Sequence, residues 1–86
     1  MKVQGAVVKE QGVTFAIVVV KKSAMHNLIT GDETRKAFMP LFPGLPLVLA
    51  SQDSSGRFEY QGRKDIVNFL AGIDAYRIPW KEYTFN

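Results

Sequence analysis

His26 is the chain's one histidine, and few residues around it are equipped for chemistry. A general base or metal ligand needs convergent partners, and the nearest carboxylates along the chain are Asp32 and Glu33. A lone imidazole with no visible triad fits a surface or capping role better than a catalytic one. Asp53, Ser54 and Ser55 offer a base beside hydroxyls, but Asp, Ser and Gly are also what a tight turn requires, and Ser51–Gly56 reads as that turn. No Gly-rich phosphate loop, paired-histidine motif or calcium loop is present. With no cysteine there is no thiolate, no disulfide framework and no cysteine-based zinc site. The sequence therefore implies no catalytic residue, no metal and no cofactor, and it leans away from an enzyme. The enzymatic alternative is a ligand pocket near Pro46 with His26 as the only obvious base.

Two further groups could bind rather than react. Arg57, Arg63 and Lys64 flank Phe58 and Tyr60, an arrangement that can hold single-stranded nucleic acid by stacking and charge. The strict alternation of Arg57-Phe58-Glu59-Tyr60-Gln61 instead sends both aromatics to the core and leaves the cations on a solvated edge. A net charge of +3 is also too weak to imply nucleic acid. The second group is the aromatic tail, with Trp80, Tyr83 and Phe85. These side chains either pack back as a fifth strand, which is the favoured expectation, or dock a protein partner or a second copy of the chain.

The elements that position these residues follow from pattern. Eighty-six residues form one domain, 1–86, and 47% hydrophobic residues can supply its core. Val3–Val8 and Val13–Val20 flank Glu10-Gln11-Gly12 and predict a hairpin. The second strand is β-branched and uniformly apolar, so it belongs in the middle of a sheet. Ser23 is a candidate cap for a short turn reaching Asn27. Thr30 and Glu33 match a capping box, with Thr34, Ala37, Phe38 and Leu41 on one helical face and Pro40 ending or kinking the helix. Leu45–Ala50 reads as a second central strand and Arg57–Gln61 as a half-buried one. Ile66, Val67, Phe69, Leu70 and Ile73 mark a second helix, with Gly72 as its C-cap. Ile17, Val19, Val48, Ile66, Phe69 and Leu70 are the expected core. The order β-β-α-β-β-α with a short C-terminal strand gives an α+β fold, expected as a two-layer sandwich. No signal peptide or membrane span is visible, so a cytoplasmic protein that crosses no membrane is the expectation.

Residues 43–73 carry a proline before an apolar strand, a turn, a second strand, and then Gly62-Arg63 opening a helix. This unit resembles the C-terminal ββα half of thioredoxin and glutaredoxin folds. The resemblance implies that Pro46 matches the family's cis proline facing the active site, and Gly62 the glycine before the last helix. The family's active-site cysteine is absent, so the resemblance implies thioredoxin-like features without redox activity. In place of the family's helical crossover, the N-terminal half has the tight hairpin at Glu10–Gly12. The resulting expectation is a small non-redox domain that acts through protein interaction, with nucleic-acid binding as the alternative.

Overall fold

The computed structural model describes residues 2–10 and 12–84. Strands β1 (Lys2–Glu10) and β2 (Val13–Val19) pair antiparallel from Gly5↔Val18 to Glu10↔Val13. Gly12 turns between them at φ 78°, a conformation that costs a residue with a Cβ. Helix α1 (Leu28–Phe38) then carries the chain over to β3 (Leu47–Gln52), which lies parallel to β2. Parallel neighbours need such a crossover. Strand β4 (Phe58–Gln61) returns antiparallel, α2 (Lys64–Ala71) follows, and β5 (Lys81–Thr84) pairs antiparallel with β1. The sheet order is β4-β3-β2-β1-β5. The uniformly apolar β2 is thus the middle strand, and Phe15, Ala16, Ile17 and Val18 are all buried.

Strand alternation divides the core into two. Ala6, Phe15, Ile17, Val48 and Ala50 pack against Ile66 and Leu70 of α2 and against Ile78. The opposite side chains of the same strands, Val3, Ala16, Val18 and Leu47, pack against Phe42 with Phe38 and Leu41. A helix covers each face, so the α+β fold has three layers rather than the expected two. Strands that are apolar on both faces, like β2 and β3, require cover on both.

Several local expectations are corrected. Helix α1 starts a turn earlier than Thr30: Asn27 is its N-cap, its Oδ1 accepting the Thr30 amide at 2.8 Å. Asn outcompetes a Thr placed inside the helix, and the Thr30 carbonyl instead accepts the Thr34 hydroxyl at 2.9 Å. Ser23 caps nothing and lies inside the short 3-10 turn Lys22–Ala24. Ala37 is exposed, whereas Thr34, Phe38 and Leu41 are partly buried. Val19 and Phe69 are also only partly buried, Val19 at the end of β2 and Phe69 at the flank of α2, edge-on to Phe15 at 6.5 Å. Pro40 marks the point where α1 gives way to the 3-10 turn Met39–Leu41. Gly72 closes α2, its amide donating to the Phe69 carbonyl at 3.1 Å. Among the described residues no helix is long and apolar enough to cross a membrane.

Candidate functional site

The alternation of β4 puts Phe58 and Tyr60 on the α2 side, where both are half-buried. Trp80 comes from the far end of the sequence to meet them. Phe58 stacks on Trp80 at 5.3 Å and 18°, and on Tyr60 at 6.1 Å and 15°. The Trp80 indole N–H donates to the Ala75 carbonyl at 3.0 Å, which fixes the ring. Ala75–Arg77 is a short turn capped by Asp74, whose Oδ1 accepts the Tyr76 amide at 3.0 Å. That turn presents Tyr76 at 96% exposure. Between the turn, the end of α2 and β4 lies a groove of about 880 Å³, lined by the aromatic stack, Val67, Tyr76 and Arg57. Burial in its wall raises the Tyr60 hydroxyl above its ordinary 10.0.

Arg57 reaches this groove from the β3–β4 turn. Asp53 Oδ1 accepts from the Ser55 amide, the Ser55 hydroxyl and the Arg57 amide at 2.9, 2.7 and 3.0 Å. The Ser55 hydroxyl, ahead of the Arg57 amide, holds the Asp53 carboxyl below its ordinary value. Asp53 and Ser55 therefore build a turn. The Arg57 guanidinium makes no ion pair among the described residues.

Arg63 lies past the other end of β4, about 20 Å along the chain at strand rise. Its Nε and Nη2 donate to the two oxygens of Asp65 at 2.7 and 2.8 Å. That pair pulls the Asp65 carboxyl down to about 2. Lys64 is the exposed first residue of α2. Arg57 thus lines the same groove as Trp80, while Arg63 lies beyond the opposite end of β4.

Pro46 borders a smaller cleft of about 300 Å³, with Arg35, Lys36 and Arg63. The Leu45–Pro46 bond is trans. His26 does not line this cleft. Its Nδ1 donates to the Ser23 carbonyl at 2.9 Å and its Nε2 accepts from the Asn27 amide nitrogen at 2.9 Å, on an exposed turn. Pro46 and His26 are not brought together. Among the described residues no cluster of three His, Cys, Asp or Glu could hold a metal ion.

Tyr83 pairs opposite Val3, on the other face from Trp80, edge-on to Phe42 at 5.0 Å and beneath the Lys81 ammonium at 5.1 Å. It is packed as structure. Phe85 lies outside the described residues. Sequence reasoning missed Tyr76, whose signal was an aromatic residue two positions after a capping Asp. It also missed Gln61, whose Nε2 donates to the Met25 carbonyl at 3.0 Å and whose Oε1 accepts Arg35 Nη1 at 3.1 Å. No known family, curated protein or solved structure matches the chain.

Proposed function

We propose that the chain is a non-redox protein-interaction module whose aromatic groove holds an apolar, extended segment of a partner protein. The observation that carries this reading is Tyr76, 96% exposed beside the ordered Tyr60–Phe58–Trp80 stack. Tyr, Trp and Arg are the residue types that dominate binding energy at interfaces, and Tyr76, Trp80 and Arg57 share this groove. Strand β4 is an edge of the sheet beside the same groove. An added strand there would gain main-chain hydrogen bonds while its alternate side chains enter the aromatic trough. Work in the cytoplasm and a remote thioredoxin-like kinship of residues 43–73 belong to the same proposal.

Peptide-display selection on the folded chain, followed by NMR mapping of the best binders, tests it. Apolar or aromatic peptides that shift Phe58, Tyr60, Tyr76 and Trp80 support the groove. Binders that map elsewhere overturn it. The nucleic-acid alternative has a different signature: salt-dependent retention of a single-stranded oligonucleotide that weakens on Arg57→Ala.

A further inference from the structure

The cleft beside Pro46 is distinct from the aromatic groove and combines a mostly apolar wall with cationic side chains. Arg35, Lys36 and Arg63 line it together with Asp32, and Asp65 is forked on Arg63. Asp32 pairs with Arg35 and Asp65 with Arg63, which leaves the Lys36 ammonium as the lining cation without a carboxylate partner among the described residues, and an anion entering the void would pair with it.

Two of the cations are held in place. Arg35 is only 18% exposed, fixed by Gln61 Oε1 through Nη1 and by Asp32 through Nη2. Arg63 is clamped in a fork on Asp65. Lys36 makes no ion pair among the described residues. A guanidinium positioned by its neighbours loses little freedom when a remaining N–H donates to a ligand oxygen, whether of a carboxylate or a phosphate. The remaining wall is apolar, with Leu45, Pro46 and the half-exposed Met39. A volume of about 300 Å³ sits at the small end of ligand pockets.

We infer that this cleft binds a small organic anion, its carboxylate or phosphate monoester head between Arg35, Lys36 and Arg63 and its apolar body on Leu45 and Pro46. NMR titration at low salt with benzoate, phenyl phosphate and neutral benzamide tests the assignment. Either anion should shift the amides of residues 32–36 and 45–47 saturably, with benzamide at least tenfold weaker. The tighter of the two anions identifies the head group. Lys36 is exposed, so Lys36→Glu should stay folded by circular dichroism and weaken anion binding at least tenfold, while Lys36→Arg retains it. Arg63→Gln, also at an exposed position, should weaken it too. Absence of saturable shifts from both anions, equal binding of benzamide, or an unchanged Kd in both Lys36→Glu and Arg63→Gln would overturn the site.

Discussion

Single residues in this fold are pinned by identifiable partners, and two of them give measurable consequences. The Arg63 fork holds Asp65 at about 2 against an ordinary 3.8. A depressed carboxyl adds stability above its unfolded value and loses that contribution as pH falls through the folded one. The Arg63–Asp65 pair should therefore hold from neutrality to about pH 4 and dissolve between there and about pH 2. Carbon-detected NMR titration of Asp65 should give a midpoint at least one unit below that of a free carboxylate. A midpoint near 4 would contradict the pairing. Gly31 is the second case. It is buried in α1, and a Cβ there would collide with Gln61 Oε1. Gly31→Ala gains about 1 kcal/mol of helix propensity. It displaces a side chain whose bonds to the Met25 carbonyl and Arg35 contribute roughly 1 kcal/mol and roughly 1.5–3 kcal/mol. Net destabilisation of about 1–3 kcal/mol is expected. On a Gln61→Ala background the obstruction is gone and the same change should stabilise. A denaturation double-mutant cycle with the same sign on both backgrounds would refute the bracket.

At the scale of elements, what could be read depended on how much packing each one carries. Strands β2 and β3 announce themselves because burial on both faces demands an unbroken apolar run, and Phe15–Val18 and Leu47–Ala50 are buried throughout. Helix α2 is legible from its apolar spacing. Its weight rests on Leu70, 1% exposed, more than on the half-buried Phe69. Leu70→Ala should cost about 2–5 kcal/mol and Phe69→Ala less, read from chemical denaturation midpoints. The reverse order would mean that the helix face is turned. Helix α1 misleads because Gly31 is its only buried residue, while Leu28 and Ile29 are 75% and 74% exposed. With its first apolar residues facing solvent, nothing in the apolar spacing dates its start, and the Thr30–Glu33 pattern outweighs Asn27. The candidate site was half legible. Arg57, Trp80 and Pro46 are singled out by type, but nothing local shows that Trp80 crosses to Phe58, or that Pro46 meets Arg35 and Lys36 instead of His26. Such meetings arise from the sheet order, which residue spacing does not encode.

For the whole molecule, the tail closes the fold. Ile78 is buried in the α2-side core, Trp80 stacks on Phe58, and β5 covers the outer edge of β1. Removing residues 78–86 strips all three. Truncation should cost most of the roughly 5–15 kcal/mol typical of a small domain. Light scattering should find the full-length chain monomeric. A dimeric full-length chain whose truncated form remains a folded monomer would assign the tail to an interface instead.

The central claim is that the aromatic groove is a docking surface, and Tyr76→Ala tests it most directly. At 96% exposure Tyr76 contributes almost nothing to packing, so the variant should unfold at the same denaturant concentration as the parent. Its affinity for a groove-selected peptide should fall by roughly thirtyfold, the loss of an anchor worth about 2 kcal/mol. Equal affinity of the two chains for that peptide, with stability unchanged, would contradict the claim.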